Sequence, residues 1–275
     1  MAKQLITGLD TGDVEKYVIL SGEPERIPKI ASHLSNPKKI AQYREYTVYS
    51  GKLEETLVTV ASTGIGGPST AILIEELANL GAHTFLRIGT SGGIADGLEK
   101  GDFVIATGAV KLDGTTRSYT WAEYPALANH EVTLALVESA RKRNAKFDVG
   151  ICLSVDGFYS ENKVLKDEEL APMSQTGYMP SFMVNRLSDA KKMGVKNIEM
   201  ENGTIFTLSS LFGLRAGAIC SVSDVVPWHP TEKVIDFEEN VTECIKIGVG
   251  AMRTLIGWDR NKKGQKFWSP SLGSD

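Results

Sequence analysis

Short apolar runs alternate along the chain with stretches whose apolar residues recur at helical spacing. Residues 16–22 (KYVILSG) predict a strand that ends at a glycine. Residues 44–51 and 56–64 predict two more, paired as a hairpin. Pro68 then opens a helix with Leu73, Leu77 and Leu80 on one face and Gly81 as its stop. Strands follow at 84–89 and 102–110, an amphipathic helix at 132–143, and a strand at 149–156. Residues 182–194 predict a helix closed by Gly194. A short strand at 196–201 feeds a helix at 204–213, and 216–224 is a very apolar strand. Val241, Ile245, Gly248, Met252 and Leu255 mark a long last helix. Strands alternating with helices predict an α/β domain around a mostly parallel or mixed sheet. No linker divides it, so residues 1–258 read as one domain, followed by a polar, peripheral tail at 259–275 in which Phe267 and Trp268 could dock. Residues 157–181 are polar and irregular, a length that inside a compact domain marks function or disorder.

Composition narrows the function classes. The 275 residues are 42% hydrophobic and 23% charged, with a net charge of −4. No Lys/Arg run forms a basic stripe, which argues against nucleic acid. Three widely spaced cysteines, Cys152, Cys220 and Cys244, make neither a disulfide framework nor a zinc motif. The amino terminus lacks the apolar core of a signal peptide, and no stretch approaches the roughly 20 apolar residues of a membrane span. The expectation is a soluble, cytoplasmic protein without nucleic-acid or membrane partners.

Sheets of this kind bind ligands at the carboxyl ends of their strands. The polar residues there are Gly22 to Arg26, Thr63 to Ser69, Arg87 to Gly92, Phe158-Tyr159, Glu199 to Glu201, and Ser223-Asp224. Two of these turns are glycine-rich and lie beside helix starts, where backbone N–H groups can face an anion. Neither is a Walker loop or a G-x-G-x-x-G motif, so triphosphates and dinucleotides are not indicated. Arg87 is a permanent cation in an apolar run, costly unless it meets an anion. For one arginine a structural ion pair competes evenly with a ligand. Arg26 and Arg87 together, beside Thr90, fit a phosphate better. Glu199 and Glu201 alternate, so each should face one side of the strand unless its end twists; a solvated edge or a grip on vicinal hydroxyls both fit. Asp224 closes an apolar strand as a proton donor or as a cap.

The motifs GEPER, STGIGGPST, FLRIGTSGG and NIEMEN, in this order, resemble those of nucleoside phosphorylases of the hexameric type, and within them the uridine enzymes. The similarity runs from about residue 12 to 257. It implies a single α/β domain with a central mixed, barrel-like sheet flanked by helices. It implies reversible phosphorolysis, a pentosyl transfer in which inorganic phosphate is co-substrate and no cofactor is required. Phosphate would be held by Gly22, Arg26, Arg87 and Thr90, with Arg44 reaching in from a neighbouring subunit of a homodimer, itself part of a homohexamer. Glu201 would grip the ribose hydroxyls, helped by Met200 and Glu199. Ser91 and Phe158 would flank the base. Glu45, Ile65 and Ser69 match the positions that hold a monovalent cation at the dimer interface.

The base side departs from the uridine pattern. The family places a glutamine and an arginine soon after the Phe-Tyr pair to read the uracil carbonyls and N3. Here the resemblance implies Asn162 as the base-binding replacement for the glutamine and Lys163 or Lys166 as a cation, and no arginine comes before Arg186. Ser223-Asp224 resembles the purine enzymes instead, where the aspartate protonates the leaving base. The family's amino-terminal histidine, which reaches a neighbour's ribose 5′ hydroxyl, is absent near Ile6. Three readings stand beside the uridine-type enzyme: a purine nucleoside phosphorylase with Asp224 as acid, a nucleosidase using water, and a non-catalytic nucleoside-binding paralogue. The arginines argue against the nucleosidase, and the intact phosphate and ribose motifs against the paralogue.

Overall fold

The computed structural model describes residues 3–166, 169–227, 237–262 and 264–269. The chain runs β1 (Tyr17–Ser21), α1 (Arg26–Ala31), β2 (Ser35–Tyr43), β3 (Tyr46–Leu53), β4 (Thr56–Ser62), α2 (Gly67–Asn79), β5 (Thr84–Gly93) and β6 (Phe103–Lys111). It continues through α3 (Gly114–Tyr119), β7 (Ala126–Leu127), α4 (His130–Lys142), β8 (Phe147–Ser154), α5 (Phe158–Glu161), β9 (Lys163–Lys166) and β10 (Glu169–Pro172). After a 3-10 turn at Ser181–Met183 come α6 (Arg186–Lys192), β11 (Asn197–Glu199), α7 (Asn202–Leu211), β12 (Arg215–Val225) and α8 (Phe237–Asn261).

The main sheet has the order β11-β8-β6-β12-β5-β1-β4-β3-β2, and β11 also pairs with β5. That last pairing closes β5, β12, β6, β8 and β11 into a five-stranded barrel of mixed direction. Strands β1 to β4 extend from its β5 side. Closure needs β5 to serve two neighbours: Thr84 onward pairs with β12, while Gly92 and Gly93 also meet Ile198 and Asn197 of β11. A side chain at Gly92 would sit 2.6 Å from Val226 and 3.1 Å from Ile198, so only glycine lets the strands meet there.

Helices cover both faces. On one, Val132 and Leu136 of α4 pack with Val241, Ile245, Met252 and Leu255 of α8 against Leu86, Ile88 and Ile105. On the other, Leu73, Ile74 and Leu77 of α2 join Ile205, Phe206 and Leu208 of α7 over Val18, Leu20 and Phe85. Apolar burial on two faces is why the strands read as continuous hydrophobic runs.

Four local readings change. β2 was not foreseen: SNPKKIAQY is polar, contains Pro37, and forms the exposed edge strand, where both are tolerated. Helix α1 is only six residues long, too short for periodicity to show. The helix expected over 182–194 is regular only from Arg186, because Phe182 and Val184 stay exposed and bury no face. Within 157–181, Phe158–Glu161 forms α5, and Lys163–Lys166 pairs antiparallel with Glu169–Pro172 as β9 and β10. Helix α8 runs on to Asn261, and Trp268 stacks on Trp258 with ring centroids 3.8 Å apart. The last tail residues, 270–275, lie outside the described residues.

Candidate active site

The carboxyl ends of β1, β5, β8 and β12, together with β11 and its turn into α7, surround a cleft of about 230 Å³. The lining contains Gly22, Arg26, Arg87, Thr90, Ser91, Phe158, Asn162, Glu199, Met200, Glu201 and Asp224, residues drawn from five separate segments of the sequence. Ile65 also lines it, from the glycine turn before α2.

The charged end is built around Arg87, which is 3% exposed. Its Nη1 lies 3.0 Å from Glu199 Oε2 and donates to Asn202 Oδ1 at 3.0 Å and Cys220 Sγ at 3.2 Å. Its Nη2 donates to Glu201 Oε2. Its Nε is buried with no partner among the described residues. Burial works against the guanidinium's charge, but Glu201 and Glu199 more than offset it and hold the pKa above its ordinary value. Burial pushes the Cys220 thiol up to about 11, so it stays protonated near neutrality. Gly89 makes the fold-back possible: a Cβ there would lie 2.7 Å from the Arg87 guanidinium carbon. Arg26, 5% exposed, donates to Ser21 Oγ at 3.3 Å and pairs with Glu23 at 2.8 Å.

Glu199 and Glu201 do not face opposite sides: residues two apart in an extended chain share a face, and both carboxylates reach Arg87. β11 stops at Glu199, and Glu201 sits at the cap of α7, where the chain turns. Glu199 accepts from the Glu201 and Asn202 N–H groups, each at 2.8 Å, and from Ser154 Oγ. It thus caps the start of α7, where a carboxylate meets unpaired N–H groups and the positive end of the helix dipole. Burial pushes its carboxyl above the ordinary value while Arg87 pulls it back. Glu201 Oε1 accepts from Gly66 N–H at 2.7 Å, which ties the GIGG turn to the carboxylate.

The other end of the cleft is more apolar, with Val155, Phe158, Ile198, Met200 and Val226. Ser91 Oγ accepts from Asn197 Nδ2 at 2.8 Å, and Ser223 Oγ donates to the Ser91 carbonyl at 3.2 Å and to Asp224. Asn162 is 4% exposed.

Three sequence candidates lie outside the cleft. Arg44 is exposed at the β2–β3 turn with φ 54°, its guanidinium 5.5 Å from the Tyr43 ring. Glu45 and Ser69 meet each other behind the glycine turn, 3.0 Å apart. The Ile65 side chain is 75% exposed. Conversely, Gly66, Gly89 and Asn202 hold the charged end and were not singled out. The glycine-rich stretches drew attention to turns, whereas Gly89 acts by making room for a side chain two positions earlier.

Residues 16–256 match the family described as the phosphorylase superfamily. The chain belongs to the phosphorylase superfamily. Among its relatives, a uridine phosphorylase of Thermococcus kodakarensis is 41% identical over 95% of this chain and 90% of that protein. A uridine phosphorylase of Treponema pallidum is 38% identical over 92% and 94%. A guanosine phosphorylase of Halorubrum lacusprofundi is 36% identical over 93% and 100%. Within this phosphorylase, no helix among the described residues is long and apolar enough to cross a membrane.

Proposed function

We propose that this enzyme is a nucleoside phosphorylase of the uridine type. The observation that carries the reading is one cleft lined by two buried arginines, a buried carboxylate at the start of a helix and a cluster of apolar side chains. Inorganic phosphate would sit between Gly22, Arg26, Arg87 and Thr90. A phosphate oxygen forms a bond to C1′ of the nucleoside as the C1′–N bond breaks, the electron pair leaves with the base, and the base takes up a proton. The products are ribose 1-phosphate and free base. The transition state carries positive charge on the sugar, so a phosphate pinned against C1′ both attacks and stabilises it. No protein nucleophile is needed.

Glu201 already accepts from Gly66 and Arg87, yet a carboxylate has about four acceptor sites. Two remain for the 2′ and 3′ hydroxyls of ribose, with Met200 beneath the sugar and Glu199 holding the turn. Ser91 and Phe158 would flank the base. Arg44, exposed at a turn apex, would complete the phosphate site of a second copy in a homodimer, and such dimers would build a hexamer. A monovalent cation at that interface would find two oxygen donors in each chain, Glu45 and Ser69, with the Ile65 backbone beside them. The fit is that of half a coordination shell, which a symmetry mate would complete.

A phosphate-dependent assay over uridine, thymidine, inosine, guanosine and adenosine tests the reading. Uridine should be cleaved fastest, and Glu201→Ala should lower kcat/KM by at least roughly 100-fold, as for removal of a transition-state contact. Base release that proceeds equally well without phosphate would overturn phosphorolysis. No release from any nucleoside would favour a binding paralogue. A purine reading has its own support: Asp224 lines the base end, held by Ser223, and one relative is named for guanosine. If it is right, inosine or guanosine outruns uridine, and Asp224→Asn slows purines selectively.

A further inference from the structure

An arginine has five N–H donors, and most of those on Arg87 are accounted for within the fold. Nη1 carries two protons and meets three acceptors: Glu199 Oε2 at 3.0 Å, Asn202 Oδ1 at 3.0 Å and Cys220 Sγ at 3.2 Å. Nη2 donates to Glu201 Oε2. The Nε–H is buried with no partner among the described residues. What remains is the Nε–H and the second Nη2 proton. They sit on adjacent nitrogens of one plane, the spacing that meets two oxygens of an oxyanion.

Two of the three Nη1 acceptors are uncharged, and neither lines the cleft. Asn202 opens α7 and is fully buried. Its amide is held in one orientation. Nδ2 donates to Cys152 Sγ at 3.5 Å, and the Cys152 thiol donates to the Gly108 carbonyl at 3.4 Å. A reversed amide would set its NH2 against Nη1, donor against donor. Cys220 lies opposite Gly89 in the β12–β5 register, and Ala218 lies opposite Arg87. Residues two apart on a strand share a face, so Cys220 meets the guanidinium above a position with no side chain. The carboxylates have anchors of their own. Glu201 is held by Gly66 N–H at 2.7 Å, and Glu199 by the Glu201 and Asn202 N–H groups and by Ser154. Losing the Asn202 or Cys220 acceptor therefore loosens the guanidinium and leaves the carboxylates in place. A third carboxylate could also hold Nη1, but it would repel an incoming anion; an amide and a thiol do not.

We infer that Asn202 and Cys220 are positioning residues for phosphate: by fixing Nη1 they aim the Nε–H and the second Nη2 proton of Arg87 at the anion. The inference rests on the phosphorylase reading and adds two side chains that act on phosphate through the arginine.

The experiment measures initial rates of Asn202→Ala, Cys220→Ala and Cys220→Ser beside wild type, with the nucleoside that wild type cleaves fastest. Phosphate and nucleoside are varied in turn. Asn202→Ala should raise the KM for phosphate by about tenfold or more, the scale of a lost hydrogen bond to a charged group, and leave the nucleoside KM within about twofold. Sulfur is a weak acceptor, so Cys220→Ala should raise the phosphate KM less, by about threefold. Cys220→Ser restores an acceptor at nearly the size of alanine and should return that KM to within about twofold of wild type. A merely structural defect lowers kcat through the active fraction and moves neither KM. An unmoved phosphate KM in Asn202→Ala overturns the inference, as does an equal rise in both KM values. So does a Cys220→Ser enzyme no better than Cys220→Ala, a comparison that stands even if Asn202→Ala fails to fold. The rise in Tm with added inorganic phosphate reads the same site without turnover. A wild type that needs no phosphate and gains no Tm from it rejects the phosphorylase reading and this inference with it. Wild-type dependence on phosphate beside unmoved variants rejects this inference alone. Phosphate protection that Asn202→Ala weakens, without cleavage of any nucleoside, rejects catalysis and keeps the inference.

Discussion

Arg87 and Arg215 stand in the same parallel strand pair, three registers apart: Arg215 lies opposite Thr84, and Ala218 lies opposite Arg87. Both are buried, and both face two carboxylates. Yet their surroundings differ in kind. Arg215 donates from Nε and Nη2 to Thr84 Oγ1, from Nη1 to Glu131 at 2.6 Å, and from both Nη atoms to Asp259. Lys262 joins the same two carboxylates, and Glu131 also accepts the Trp268 N–H at 2.7 Å. The cluster is closed and latches the carboxyl-terminal segment to the amino end of the barrel. Arg87 keeps an unpartnered Nε and borders an open cleft with a glycine beside it. A buried arginine with carboxylates is thus not in itself a sign of function. An incomplete donor set facing space is a better one.

That contrast can be broken at each end. Arg87→Ala should abolish phosphorolysis, by at least about 1000-fold, because it removes a transition-state contact and frees two carboxylates beside the anion site. It should also destabilise the fold by roughly 3–5 kcal/mol, the usual effect of stranding a buried charge. Arg215→Ala should cost a similar roughly 3 kcal/mol on denaturation, yet leave kcat/KM within about threefold. Activity loss there equal to that at Arg87 would erase the distinction. Gly89→Ala is subtler. Its new methyl must displace the guanidinium, so the KM for phosphate should rise about tenfold with little change in the nucleoside KM.

The smallest effect is that of pH on the latch. In the fold the Asp259 carboxyl is held below its ordinary 3.8: burial raises it, but Arg215 and Lys262 overcome that. Glu131 is lowered from 4.5 in the same way, burial being outweighed by Lys262, Trp268 N–H and Arg215. Folded values below unfolded ones mean a contribution fully present above about pH 4.5 and lost as pH falls through the folded values. The Tm gap between wild type and Arg215→Ala should therefore be flat from pH 7 to 5 and narrow below about 4.5. A gap that widens in acid would contradict the assignment.

Much of this was legible in the chain because burial on two faces writes itself as apolar runs. The strand over 84–89 was visible from Phe85, Leu86 and Ile88. Its continuation to Gly93 was not, because glycine has little strand preference and only the pairing with β11 and β12 holds it. The glycine-rich turns and Arg26, Arg87 and Glu201 could be collected as strand-end residues, and the structure gathers them into one cleft. Arg215 went unremarked although it too leads an apolar run, and nothing local separates it from Arg87. Its partners, Glu131 and Asp259, are 84 and 44 residues away. The expectation that Glu199 and Glu201 face opposite sides fails because residues two apart in an extended chain share a face, and both meet Arg87. Arg44 reads as a site residue only through resemblance; in a single chain it stands in solvent.

The seam between β5 and β11 has a further consequence. Arg87, Thr90 and Ser91 are carried by the very strand whose last residues close the barrel. Arg87 is thereby part of the closed barrel, expected to open only when the whole domain does. The β9–β10 hairpin that carries Asn162 at its base pairs with itself alone and stands apart from that unit. Substitutions in the hairpin should thus leave the stability of the barrel unchanged, so that wall of the cleft can vary while the strand that carries Arg87 stays as it is.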